Sequence, residues 1–282
     1  MTTGRFGGRI AIVTGAGGGL GRASAIRLSS EGAHVVAVDV NAGALASLKE
    51  ELTTESIVVR ADVSAEDDVA RYMDMAISTF ARVDYYHLNA GIFGSFEPLP
   101  DLPVESFSKV MDVNVTGQFL GLRAAFRQYH DQGGEGAILV TASIASLRGS
   151  ADLMAYQTSK HAVSGLIHGA AMYGGPLGIR VNGVAPGIVP TELFAAAATT
   201  QGGRNDMERR AMTTPLRRAG RPEEIASVVA FLLSDDASYM TGSIVSVDGG
   251  ASIMSTVRPS GGAGAWDYEE LDRRTYGERK QG

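Results

Sequence analysis

Short apolar runs rich in β-branched residues recur along the chain at Arg9 to Thr14, His34 to Asp39, Ser56 to Ala61, Val83 to Asn89, Gly136 to Ser143, Ile179 to Val184 and Ser243 to Asp248. Runs such as Ala11-Ile12-Val13 and Ala137-Ile138-Leu139-Val140 lack polar alternation, the pattern of strands buried on both faces. Between the runs lie segments whose apolar positions recur at three and four, among them Gly19 to Glu31, Asp67 to Phe80, Val104 to Tyr129, Ala155 to Tyr173 and Glu223 to Leu233. Seven strands joined by six connections of helix length predict an α/β fold, a parallel sheet wound by helices on both faces.

Two segments break this rhythm. Thr191 to Arg218 is long and mixed, and its Ala196 to Thr200 stretch followed by Gln201-Gly202-Gly203 suits a mobile helical lid, placed at about residues 190–218. After Gly250 the periodicity is lost, the chain passes through Pro259 to Gly264, and it ends in a charged stretch from Asp267 to Lys280. Residues 1–250 therefore read as one domain. Residues 251–282 read as an extension that lies on the surface or on a neighbouring subunit, or is disordered.

Composition narrows the chemistry. With 44% hydrophobic residues, 282 residues carry enough apolar material for one large core. The absence of cysteine excludes a disulfide scaffold, a thiolate zinc site, an iron–sulfur cluster and a cysteine nucleophile. A net charge of -6 without basic clusters argues against a nucleic-acid partner. The longest stretch free of Asp, Glu, Lys and Arg, His161 to Ile179, is interrupted by two histidines, five glycines and Pro176, so no membrane partner is expected. Met1 to Arg9 has no apolar stretch of the secretory kind, and a cytoplasmic location is expected. The five histidines, His161 and His168 included, show no metal-ligand spacing, so no metal is expected.

The 36 glycines demand an explanation. Thr14 to Gly21 follows the first strand and opens the first helix, with Gly15, Gly19, Leu20 and Gly21 in a T-G-x-x-x-G-x-G spacing. Backbone without Cβ atoms turns tightly and admits a pyrophosphate, while the helix N-terminus offers free N–H groups. Alone, such a loop could be only a turn; its place between strand and helix favours dinucleotide binding. Asp39 ends the second strand, where a carboxylate can accept hydrogen bonds from an adenosine ribose and repel a 2′-phosphate. No Lys or Arg stands at Val40, Asn41 or Ala16 to Gly18, so the loop and the acid together predict NAD(H) over NADP(H), although Asp39 alone could merely cap a strand–helix turn.

Tyr156 and Lys160 stand four residues apart in a helical pattern, so phenol and ammonium share one face. A cation beside a phenol stabilises the phenolate, which a proton donor working near neutrality needs. By itself this pair is commonly a solvated helix face; Ser143, at the end of a buried strand, and Asn114, a polar residue inside a helical pattern, give it a context. Ser106 to Lys109 matches S-x-x-K literally but lacks the companion motifs of an acyl-enzyme.

With these residues in their order, the chain resembles the classical short-chain dehydrogenase/reductase family over roughly residues 7–250. The resemblance rests on the Thr14 to Gly21 loop, Asp39, Asp62-Val63, Asn89-Ala90-Gly91, Asn114, Ser143, Tyr156 with Lys160, Pro186-Gly187 with Thr191, and Asp248-Gly249-Gly250. It implies a single Rossmann-type domain with a seven-stranded parallel sheet, assembled as a homotetramer, that interconverts a secondary alcohol and a ketone with NAD. It implies that Tyr156 is the general acid/base, that Lys160 lowers its pKa and binds the nicotinamide ribose, that Ser143 orients the substrate oxygen, and that Asn114 holds a water in the proton relay. Asp62 and Val63 would meet the adenine, Asn89, Ala90 and Gly91 would line the cofactor, Pro186 and Gly187 would belong to the cofactor site, and Ile188 with Thr191 would anchor the carboxamide. Leu88 stands where the family commonly has a first asparagine.

Phe93, Phe96, Ile144, Leu153, Met154, Leu193 and Phe194 are expected to make an apolar substrate pocket, or else to pack the core, and Arg148 alone among arginines lies near Ser143. Two alternatives stay open: a 3-oxoacyl thioester reductase, with Arg209, Arg210, Arg217 and Arg218 meeting an acyl carrier, and a dinucleotide-sensing protein without turnover.

Overall fold

The computed structural model describes residues 4–149, 153–192 and 207–254. Its seven strands are β1 (Ile10–Thr14), β2 (His34–Asp39), β3 (Ile57–Arg60), β4 (Tyr85–Leu88), β5 (Gly136–Thr141), β6 (Ile179–Pro186) and β7 (Ile244–Val247). All pair in parallel in the order β3-β2-β1-β4-β5-β6-β7. The helices are α1 (Gly19–Ser30), α2 (Ala42–Glu51), α3 (Glu66–Phe80), α4 (Val104–Met111), α5 (Gly117–Gln132), α6 (Met154–Gly174), α7 (Met207–Met212) and α8 (Pro222–Leu233).

Alternate side chains of each strand point to opposite faces, so the continuous apolar runs feed two cores. Ile10, Ile12, Val36, Val38, Tyr86, Leu88, Ile138 and Val140 bury against α3, α5 and α6. Ala11, Val13, Val35, Ala37, Tyr85, Leu139 and Val184 bury against α1, α2 and α8. This is a doubly wound, Rossmann-type sheet, as the sequence pattern predicts. The strand order reverses between β1 and β4, and the crevice beyond their carboxyl ends is where such sheets bind ligands.

One predicted helix is not continuous. Val104 to Tyr129 divides into α4 and α5 around a π-helical turn at Asp112–Thr116. The extra residue lets the Asn114 side chain turn inward and bond the Ile92 backbone, an inserted turn of the kind found at functional positions. At the opposite end of the sheet Arg180 closes α8, donating to the carbonyls of Leu232, Leu233 and Ser234 at 2.9, 3.1 and 2.9 Å. Residues 193–206 of the expected lid, with Leu193, Phe194 and the Ala196 to Gly203 stretch, and the tail from residue 255 lie outside the described residues.

Candidate active site

The turn from β1 into α1 is shaped by glycines. Gly15 and Gly19 take φ of +65° and +48°, the left-handed region that side chains disfavour. A Cβ on Gly15 would stand 2.9 Å from Ala90 Cα, and one on Gly21 would meet the Gly15 carbonyl oxygen and come 2.7 Å from Asn89 Nδ2. Gly21 therefore lets α1 pack under the loop, and Gly15 lets the β4 end approach it. Asp39 closes the far side: Oδ2 accepts from Gly17 N and Oδ1 from Asn41 N, each at 2.9 Å.

The β4 end is pinned from several elements. Thr14 Oγ1 accepts from Asn89 N at 2.9 Å and from Ala90 N at 3.2 Å. Gln118 Nε2 donates to Ala90 O at 2.7 Å. Asn114, fully buried, accepts from Ile92 N at 2.8 Å and donates to Ile92 O and to Ser159 Oγ at 2.9 Å each. Gly187 must lack a side chain for a related reason, since its Cβ would lie 2.7 Å from Asp248 Cα where the ends of β6 and β7 run side by side.

Ser143 follows β5, and α6 carries Tyr156 and Lys160 past it. The Tyr156 hydroxyl is hydrogen-bonded to Ser143, and its ring packs 4.6 Å from that of Phe93. Lys160 Nζ donates to Thr141 O at 2.7 Å and lies 5.6 Å from the centre of the Tyr156 ring. Burial pushes the phenol up, the Ser143 bond partly offsetting this, and brings the Lys160 ammonium down from 10.5 to about 8. The resting pair near neutrality is thus a neutral phenol beside an ammonium. In this state burial outweighs any lowering of the Tyr156 pKa.

A cavity of about 830 Å³ joins these pieces. Of the expected residues it is lined by Gly15, Gly19, Leu20, Asp39, Asn89, Ala90, Gly91, Ser143, Tyr156, Lys160, Pro186, Gly187, Ile188 and Thr191. Gly21 and Asn114 lie behind that lining. Asp62 and Val63 do not line it: Asp62 Oδ1 accepts from Ser64 N and Oγ at 2.9 and 2.6 Å, which holds its carboxyl low, and Val63 packs against Gly117. Phe93, Phe96, Ile144 and Leu153 line the cavity and Met154 does not.

Two site residues do not show in the sequence pattern: Thr141, which braces Lys160, and Glu192, whose Oε2 lies 3.0 Å from the place of a Gly18 Cβ over the glycine loop. Neither belongs to a spacing pattern; adjacency to Ser143 and Thr191 was the available signal. The residues fit a dinucleotide, because the cavity passes over the glycine turn at Gly15, Gly18 and Gly19, between Asp39 at one end and Tyr156 with Lys160 at the other.

A family model described as Enoyl-(Acyl carrier protein) reductase matches residues 15–252. Levodione reductase of Leifsonia aquatica is 38% identical over 258 residues, 89% of this chain and 96% of the relative. A crystal structure of levodione reductase superposes with a TM-score of 0.85, at 37% identity, covering 89% of this chain and all of the other. Cyclohexanol dehydrogenase of Acinetobacter sp. (strain SE19) is 36% identical over 250 residues, 87% of this chain and 95% of the relative. The structure of an NAD+-bound xylitol dehydrogenase, 36% identical, gives a TM-score of 0.81 over 87% of this chain and 99% of that one. With the glycine turn, the Ser143–Tyr156–Lys160 cluster and this extent of likeness together, the chain belongs to the short-chain dehydrogenase/reductase family and is an oxidoreductase.

Proposed function

We propose that the protein interconverts a secondary alcohol and a ketone of moderate size, cyclic ones included, with NAD(H) as its dinucleotide. The carrying observation is the Ser143–Tyr156 hydroxyl pair facing an apolar cavity that is continuous with the glycine hollow. Cyclic alcohols and ketones are favoured by the aromatic and aliphatic lining and by the names of the relatives.

Gly15, Gly19 and Leu20 would face the pyrophosphate with Gly21 supporting the turn from behind, Asp39 the adenosine ribose, Asn89 to Gly91 the cofactor's flank, and Pro186 to Ile188 and Thr191 the nicotinamide end, while Asp62 and Val63, outside the lining, would approach the adenine only from beyond its edge. When bound, the nicotinamide supplies or accepts the hydride. Ser143 Oγ holds the carbonyl oxygen, and Tyr156 Oη gives it a proton in the reducing direction or takes one in the other. Lys160 stabilises the phenolate that proton donation leaves, and Asn114 stands behind it near Gly91, where a relay water is proposed. Asp39 supports NAD(H), its charge opposing a 2′-phosphate.

The acyl-carrier alternative is weakened by two of its arginines: Arg218 is spent on both oxygens of Glu224, and Arg217 donates to the Thr214 carbonyl at 3.0 Å. Among the described residues no helix is long and apolar enough to cross a membrane. Exposed Phe119, Met172 and Tyr173 on α5 and α6 support a homotetramer, and a cytoplasmic location belongs to the same proposal.

The test is Tyr156→Phe, assayed by NADH absorbance with cyclic ketones and by NADH fluorescence. The variant is expected to bind NADH as the wild type does and to lose at least about a hundredfold in kcat. Retained turnover would overturn the assigned role, and tight NADH binding by a wild-type protein inert to a broad ketone panel would favour the sensing alternative.

A further inference from the structure

His87 sits inside β4, at the centre of the sheet, 1% exposed between Tyr86 and Leu88. An aliphatic residue would fill this place without burying ring nitrogens, so the imidazole calls for a reason. Its Nε2 lies 3.0 Å from Thr141 Oγ1 on β5, and Thr141 Oγ1 donates to Asn89 Oδ1, also at 3.0 Å. A hydroxyl has one proton, so Thr141 Oγ1 must accept from Nε2, and His87 carries its proton there. Nδ1 is then a bare acceptor, buried and without a partner among the described residues. Burial brings the ring down to about 3, which keeps it neutral, with Nε2 as its only donor, across the range in which enzymes work.

Two backbone carbonyls set which way one amide points, and this chain of bonds holds it there. With Oδ1 engaged by Thr141, Asn89 Nδ2 faces Thr14 O at 3.1 Å and Gly15 O at 3.4 Å, filling the hollow under the glycine turn. A flipped amide would set its oxygen against two backbone carbonyls at the place where β1 becomes the loop. We infer that His87 is a positioning residue for dinucleotide binding: by donating to Thr141 it fixes the amide of Asn89, and through it the floor of the glycine loop. The inference rests on the dinucleotide reading above. His87 touches neither Tyr156 nor the space for substrate, and it meets Thr141 at the hydroxyl while Lys160 meets the backbone carbonyl, so its effect falls on affinity and not on proton transfer.

The experiment compares the full-length wild type with His87→Leu, His87→Gln, Thr141→Val and the Leu/Val double variant. NADH titrations by fluorescence, NADPH titrations in parallel, thermal unfolding and kcat against pH at saturating dinucleotide are the readouts. His87→Leu and Thr141→Val should each weaken binding about tenfold, and the double variant should be no weaker than Thr141→Val, because the two act in series. Gln places an amide nitrogen near the position of Nε2 and should recover most of the affinity, while the pH profile of kcat stays that of the wild type in the folded His87 variants.

Wild-type affinity in His87→Leu, losses that multiply in the double variant, or a shifted pH profile in a folded His87 variant would each overturn the inference. Should His87→Leu not fold, weak binding by Thr141→Val with near-wild-type binding by His87→Gln supports it, and undiminished binding by Thr141→Val overturns it. A wild-type protein that binds neither NADH nor NADPH would overturn the dinucleotide reading and this inference with it, an outcome distinct from variants that fail to differ from a wild type that binds.

Discussion

Replacing Lys160 by Met should stabilise the fold near neutral pH while removing activity, and the gain should vanish in alkali. Lys160 is 2% exposed, and burial lowers its pKa from 10.5 to about 8, equivalent to about 3 kcal/mol against the charged form in the folded state. Below about pH 8 the lysine is charged in both states, and the folded protein carries that whole penalty. Between about 8 and 10.5 the unfolded chain binds more protons, so wild-type stability rises with pH; above that window the group is neutral in both states. Met keeps the length and volume but forfeits the 2.7 Å bond to the Thr141 carbonyl, a loss of about 1 kcal/mol. Lys160→Met should therefore be about 2 kcal/mol more stable than the wild type near pH 7, roughly 5 °C in Tm, and about 1 kcal/mol less stable above about pH 10.5. Urea unfolding of both proteins at one protein concentration, across this pH range, reads the difference directly, since every other titrating group is common to the pair. A variant less stable than the wild type near pH 7, or an advantage that does not change with pH, would refute the reasoning.

Three further substitutions probe separate parts of the molecule. Asp39→Ala should lower the preference for NADH over NADPH by about tenfold or more, read as the ratio of kcat/KM for the two; an unchanged ratio would show that the ribose is read elsewhere. Gly21→Ala, whose Cβ would collide with the Gly15 carbonyl oxygen, should abolish NADH binding measured by fluorescence, and near-normal affinity would mean that α1 can withdraw from the loop. Arg180→Met removes the half-buried guanidinium that satisfies the last carbonyls of α8, and should cost about 2–3 kcal/mol in urea unfolding with kcat unaltered, because this cap lies at the other end of the sheet.

How far the sequence discloses the structure depends on the range of the cause. The strands were legible because a parallel sheet covered on both faces requires unbroken apolar runs, and Ile10–Thr14 and Gly136–Thr141 have them. Tyr156 and Lys160 were legible because one helical turn brings them together whatever surrounds it. The glycine turn was legible for the same local reason, a positive φ at Gly15 and Gly19 that few residues tolerate. The π-helical turn at Asn114 was not, since its cause is the backbone of Ile92, 22 positions earlier in the chain. Glu192 over the glycine loop is likewise set by how the end of β6 returns to β1. His87 marks the limit of such reading. A lone histidine in an apolar strand carries no spacing signal, and its meaning appears only when Thr141, 54 positions away, and Asn89 complete the path of one hydroxyl proton. The residues that form bonds with reactants can be found by pattern, because the chemistry constrains their type and spacing. Those that orient them are constrained only by partners that the fold supplies, so a buried polar side chain with a single well-placed donor is where the structure adds most to the sequence.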